Sequence, residues 1–220
     1  MPQLPSSQPT VLLTGFEAFG GETVNPSWLL AQALDGQVIE GHRVVARLLP
    51  CVFGQALQVL DRALHEVRPS LVLALGQAAG RSELSLERVA INVDDARIAD
   101  NAGAQPVDTP VVHGAPAAYF STLPIKAMTA AVRAAGLPAA VSQTAGTFVC
   151  NHVFFGLQHA LAGSPVRSGF MHIPMLPEQA ARHAQMASMS LSCMSQGLRL
   201  ALQVALQVKQ DLQVADGAIA

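Results

Sequence analysis

The chain has little charge. Asp, Glu, Lys and Arg make up 13% of its 220 residues, the formal net charge is −2, and no basic run occurs. The electrostatic footprint of a nucleic-acid binder is therefore missing. Long apolar runs are equally scarce. The most apolar stretch, residues 71–75, is far too short to cross a bilayer, so no membrane partner is expected. Only three cysteines occur (Cys51, Cys150 and Cys193), with no close pair and no metal-ligand spacing. That set argues against a disulfide framework or a structural zinc and for reduced thiols in a cytoplasm. Residues 1–9 carry no Lys or Arg and no apolar segment, so no secretory signal is expected. Internal repeats and domain linkers are also lacking.

What is present is core. Half of the residues are hydrophobic, enough for one well-buried domain over 1–220, with 1–9 and about 209–220 as loose tails. Apolar, β-branched runs at 10–14, 44–49 and 71–75 read as buried strands, two of them closed by Gly15 and Gly76. Between them, Pro26 opens a helix carrying Trp28, Leu29 and Leu34. Phe53, Leu57, Leu60, Leu64 and Val67 then recur at steps of four and three until Pro69. Alternation of near-continuous apolar strands with amphipathic helices predicts an α/β fold: an open, twisted, mostly parallel sheet with helices on both faces. The rhythm lapses over 76–113, where 87–92 reads as a strand and 94–110 as a polar, irregular segment. It resumes with a helix at 125–135, a strand at 139–142, a helix at 149–161 and a strand at 169–173. A long helix from about 177 to about 208, interrupted near Gly197, ends the pattern.

Ligands of open α/β sheets bind just past the carboxyl ends of strands. Gly15-Phe16, Gly76-Gln77 and the turn before Cys150 are expected at such positions, with His172 near the end of its strand. Cys150 falls at a helix start, where unpaired amides and the helix dipole favour thiolate. A nucleophilic cysteine needs a base. His152 lies two residues on, about 200° around the helix axis, and is expected to point away; His172 has no such conflict. Spacing does not choose the orienting acid among Glu87, Asp94, Asp95, Asp100 and Asp108. The loop 15–21 is neither G-x-G-x-x-G nor a P-loop, and its Glu17 and Glu22 disfavour an anion. Its two phenylalanines, Phe16 and Phe19, read instead as walls of an apolar pocket.

Four ordered blocks then point to a family. LLTGFEAFGGETVNPSW, GQAAGRSELSLERVAIN, SQTAGTFVCNH and GFMHIPMLPEQ resemble the N-terminal loop, glutamate block, nucleophile block and histidine block of the pyroglutamyl-peptidase I (pyrrolidone-carboxylate peptidase) family of cysteine peptidases. The resemblance implies Cys150 as nucleophile, His172 as general base and acid, and Glu87 as its orienting group. It further implies Phe16, Phe19 and Phe148 around the lactam ring, Gln77 on its amide edge, and Arg97 with its local backbone on the oxyanion side. N-terminally pyroglutamylated peptides would be the substrates, with no cofactor or metal, and the chain would form a homo-oligomer, a tetramer being the expectation. A catalytically silent lactam-binding protein with the same pocket is the alternative; retention of all three triad residue types speaks against it.

Overall fold

A computed structural model describes residues 8–217. Its centre is a seven-stranded sheet in the order β2-β3-β1-β4-β9-β5-β8. The strands are β1 (Thr10–Phe16), β2 (Val38–Ile39), β3 (His42–Leu49), β4 (Leu71–Gln77), β5 (Leu84–Glu87), β8 (Ala139–Ser142) and β9 (Arg167–Ile173). β3, β1, β4 and β9 are parallel neighbours, whereas β2 and the β5–β8 pair run the other way. The sheet is thus mixed and mostly parallel. A separate antiparallel ribbon pairs β6 (Val89–Ile91) with β7 (Ala118–Phe120).

Period-two alternation divides the core between the two faces of the sheet. Val11, Leu13, Leu71, Leu73, Leu75, Leu84, Leu86, Met171 and Ile173 face one way. They meet α1 (Pro26–Leu34), α3 (Ile125–Ala134) and α6 (Leu191–Gln207). Leu12, Phe16, Val72, Ala74 and Phe170 face the other way. That face is covered by α2 (Gln55–Val67) and α4 (Val149–Ala160), whose Leu60, Val153, Phe154 and Leu157 are buried against it. Each such fully buried aliphatic or aromatic side chain contributes about 1.5–3 kcal/mol. Helices on both faces are as expected. Among the described residues no helix is long and apolar enough to cross a membrane.

Three expectations need correction. The run 87–92 is two strands, because the chain turns out of the main sheet at Arg88 and enters the ribbon. The interruption of the last helix falls at 181–190, between the short α5 (Pro177–Ala180) and α6, which Ser190 caps by accepting from the Cys193 amide. Gly197 lies inside α6, where a Cβ would stand 2.3 Å from Leu84 Cδ1; glycine there permits close packing on β5. The C-terminal segment is not loose over 209–217. Asp211 accepts the amides of Lys126 and Ala127 at 3.0 and 2.9 Å, supplying the first turn of α3 with the cap that Pro124 lacks. Asp216 engages Arg88 and Arg133. The remaining tail residues, 1–7 and 218–220, lie outside the described residues.

Candidate active site

Cys150 is the second residue of α4, with Val149 before it and Phe148 as the N-cap. The helix lies on the face carrying Phe170, and its first turn abuts the end of β4. A Cβ on Gly76 would lie 2.8 Å from Cys150 Sγ and 2.8 Å from Phe170 Cζ, so the close approach of the sulfur to the strand requires glycine. Gly76 is the register partner of His172 on β9, and partners across a parallel pair share a face. His172 therefore presents its imidazole on the side of the sheet that holds the sulfur.

Glu87 reaches the same place from β5, where Ser85 pairs with His172. His172 Nδ1 and Glu87 Oε1 are 2.7 Å apart, with Glu87 fully buried and His172 3% exposed. A carboxylate only accepts, so Nδ1 donates and Nε2 keeps its lone pair. Arg81 Nη1 lies 2.8 Å from the same Oε1. Burial holds the His172 pKa below the ordinary imidazole value, opposed by the bond to Glu87. Burial also pushes the Cys150 thiol well up, and the nearby Cys51 and Glu87 add to the shift while Arg81 opposes it. The expected thiolate at the helix start does not hold for this environment. A helix N-terminus contributes at most about 2 kcal/mol to a partly buried anion, which at roughly 1.4 kcal/mol per pKa unit is too little to offset a large upward shift. Desolvation is the larger effect. The resting pair is neutral thiol and neutral imidazole, which is the protonation state in which a base can take a proton from the sulfur.

Cys150 and His172 open into a crevice of about 490 Å³ lined also by Phe19, Gln77, Asp95, Arg97, Ile98 and Phe148. Gln77, Phe148 and Arg97 are thus brought together with Cys150 and His172, and so is Phe19. Phe16 is not among the lining side chains. β1 continues through it, and alternation with Leu12 places its ring in the core layer beneath α2 and α4, 2% exposed. The Phe19 and Phe148 rings lie 6.2 Å apart at 39°. A ring held between them needs van der Waals contact on both faces, about 7–8 Å in total. These two rings form one apolar wall rather than a ready-made sandwich.

Gln77, the turn before Cys150 and His172 converge as expected and Gly15-Phe16 does not, its loop contributing Phe19 instead; the route also differs. β5 and β8 run opposite to β4 and β9, so the turn before Cys150 does not follow a carboxyl end at the same edge. Residues 143–148 carry the chain from the sheet margin back over the α4 face instead. Sequence reasoning found no signal for Gly76 beyond the end of a strand, and none for Arg81, which sits in a turn where spacing implies no direction.

The other candidates have structural partners. His152 points away from Cys150 as helix geometry requires; its Nδ1 donates to Asp94 Oδ2 at 2.8 Å and its Nε2 accepts the Gly54 amide at 2.9 Å. Asp100 accepts the amides of Phe53, Ala102 and Ala104. Asp95 lines the crevice, and Asp108 occupies a left-handed turn position at φ 46°. Among the described residues no group of three His, Cys, Asp or Glu side chains could hold a metal ion.

A cysteine beside a buried imidazole–carboxylate pair, in a crevice of an α/β sheet, defines a cysteine-type hydrolase. Comparison with known proteins narrows the class. Residues 9–208 match the family model described as pyroglutamyl peptidase. The chain is 60% identical to a pyrrolidone-carboxylate peptidase of Cupriavidus taiwanensis, covering 95% of this chain and 98% of that protein. It is 62% identical to one of Cupriavidus pinatubonensis, covering 94% and 98%. The crystal structure of pyroglutamyl peptidase I from Bacillus amyloliquefaciens superposes with a TM-score of 0.92 at 43% identity, over 94% of this chain and 100% of that one. The chain belongs to the pyroglutamyl peptidase family of cysteine peptidases.

Proposed function

We propose that Cys150, His172 and Glu87 carry out the family's reaction, removal of an N-terminal pyroglutamyl residue from a peptide, by acyl transfer through a thioester. The buried His172–Glu87 pair at 2.7 Å, sharing a crevice with Cys150, is the observation that carries this reading. The lactam ring rests on the wall of Phe19 and Phe148 with its amide edge toward Gln77. A flat, uncharged ring suits such a wall, whereas a free N-terminal ammonium would lose its hydration there without a counter-charge.

The Cys150 thiol proton passes to His172 Nε2 as sulfur bonds the carbonyl carbon. The amides of the first turn of α4 have no intrahelical acceptors, and those nearest the sulfur receive the developing oxyanion, with the backbone around Arg97 on the other side. The imidazolium, held by Glu87, gives its proton to the leaving amine and the C–N bond breaks. Water then loses a proton to His172, attacks the thioester and releases pyroglutamate with the thiol restored. Release of a fluorogenic amine from a pyroglutamyl conjugate tests the assignment. Cys150→Ser is expected to lower kcat by about a thousandfold or more. An unaltered rate in that variant would overturn it.

The chain further reads as a single domain acting in the cytoplasm, supported by its three free cysteines, and as a homo-oligomer. Val107 and Phe120, about two-thirds exposed, supply the apolar surface for the latter. Light scattering giving only the 23.0 kDa chain mass would exclude an oligomer.

A further inference from the structure

Arg81 stands on the turn between β4 and β5, where Gly80 takes φ +87° and the Arg81 amide bonds the Ala78 carbonyl at 3.3 Å. Its guanidinium reaches inward. Nη1 lies 2.8 Å from Glu87 Oε1, the oxygen that also accepts from His172, and Nη2 donates to the Thr144 carbonyl at 2.9 Å. The Arg81 side chain is 24% exposed, against 0% for Glu87. Arg81 is not among the residues lining the crevice, so its effect on catalysis must pass through others.

Two physical arguments give this contact a role. A carboxylate withdrawn from water needs compensating charge and hydrogen bonds. Glu87 Oε2 has no hydrogen-bond partner, so compensation comes through Oε1 alone. With His172 neutral, Arg81 is the one formal cation paired with Glu87 among the described residues. The second argument is geometric. Thr144 belongs to the turn between β8 and α4, so one planar fork joins the strand of the acid to the turn that delivers the nucleophile. Arginine can make both bonds at once because its donors are rigidly disposed; the single ammonium of lysine cannot span them in the same way.

We infer that Arg81 is a positioning residue of this active site, holding the Glu87 carboxylate, and through it the His172 ring, in register with the turn that presents Cys150. The inference rests on the assignment of Cys150, His172 and Glu87 made above. The charged and titratable groups that meet here are Glu87 from β5, His172 from β9, Cys150 from α4, Cys51 from the connection between β3 and α2, and Arg81 itself. Asp95 and Arg97 line the same crevice from the segment after β6. The Arg81 cation disfavours a second positive charge on His172, whereas Glu87 favours it. Loss of the cation therefore makes His172 easier to protonate.

The test is the pH profile of pyroglutamyl-conjugate hydrolysis in Arg81→Met, Arg81→Lys and Glu87→Gln, with thermal melting as the check on folding. In Arg81→Met, kcat falls by about tenfold with KM little changed, the pattern of a side chain that positions reacting groups without binding substrate. The acid limb of kcat/KM moves up by about one pH unit. Arg81→Lys keeps the charge but not the fork, so its acid limb stays near the parent's while kcat still falls. Arg81→Met added to Glu87→Gln costs little beyond Glu87→Gln alone, since both act through one bond. A folded Arg81→Met with the parent's kcat and acid limb overturns the inference. Should that variant not fold, parental kcat in Arg81→Lys overturns it instead. Parental kcat in Glu87→Gln would mean that the underlying assignment of the acid had failed, which separates the two outcomes.

Discussion

At the residue scale the decisive quantity is the protonation of the half-buried Cys150 and the buried His172. Burial raises the Cys150 thiol and lowers the His172 imidazole, so both rest neutral at physiological pH. Inactivation of the free enzyme by iodoacetamide is therefore expected to climb steadily with pH beyond the ordinary thiol value of 9.0. A rate already flat across about pH 6 to 8 would indicate a preformed thiolate–imidazolium pair and contradict this reading. Activity is expected to persist somewhat below pH 6.5, the ordinary imidazole value, because protonation of His172 requires more acid than usual. Gly76 supplies a second test. A methyl group there would meet Cys150 Sγ and Phe170 Cζ, both at 2.8 Å. Gly76→Ala should leave the fold melting cooperatively and lower kcat by about a hundredfold, a misplacement effect that steady-state kinetics would read.

At the scale of elements, two short segments hold the crevice walls. The loop bearing Phe19 is tied at both ends. Glu17 Oε1 accepts from the Cys51 amide at 3.0 Å and from Asn101 at 2.9 Å. Glu22 meets Arg182 and, at 2.9 Å, His183 in the segment after α5. Phe19 supplies half of the apolar wall proposed to carry the lactam ring, and the Glu22 clamp limits how far its loop can move. Glu22→Ala is expected to raise KM by several-fold, roughly the loss of one exposed ion pair, with kcat nearly unchanged. A change confined to kcat would place the loop in the chemical step instead. The segment 91–97 is held by the residues that follow Cys150. Asn151 bonds Ile91 and Val93, His152 bonds Asp94, and Thr147 bonds Asp95 on the other side. Asp94→Ala leaves the buried His152 Nδ1 donor without a partner, at a cost of about 1–3 kcal/mol that chemical denaturation would measure.

For the whole molecule, the consequence is a pH-dependent stability to which one buried thiol contributes. Cys51 is 3% exposed, and burial first, then Glu17 and Asp100, raises its pKa from 9.0 to about 12. In the unfolded chain the thiol ionises near 9.0, whereas in the folded chain it keeps its proton, so ionisation favours unfolding. The Cys51 contribution is complete below 9.0 and is lost as pH rises toward 12. The melting temperature should fall over this range, and less steeply in Cys51→Ala. An identical slope in the two proteins would show that Cys51 titrates normally.

Much of this molecule was written locally. Apolar runs and helical periodicity specified the strands at 10–14 and 71–75 and the helix ended by Pro69, because burial of one face acts on each segment in the same way. The four blocks carried the proposed trio of Cys150, His172 and Glu87, and two residues along a helix sufficed to turn His152 away. The tertiary structure decided the rest. It reversed β5 and β8 relative to β9, put Phe16 in the core by extending β1, and joined Asp211 to the start of α3. It also set Gly76 against a sulfur 74 residues later and brought Glu87 and the Thr144 carbonyl to the one guanidinium of Arg81. Each of these depends on which distant segments share a layer, and on how much water that layer excludes. Local periodicity carries neither quantity, and the exclusion of water is what leaves Cys150 a thiol awaiting its base.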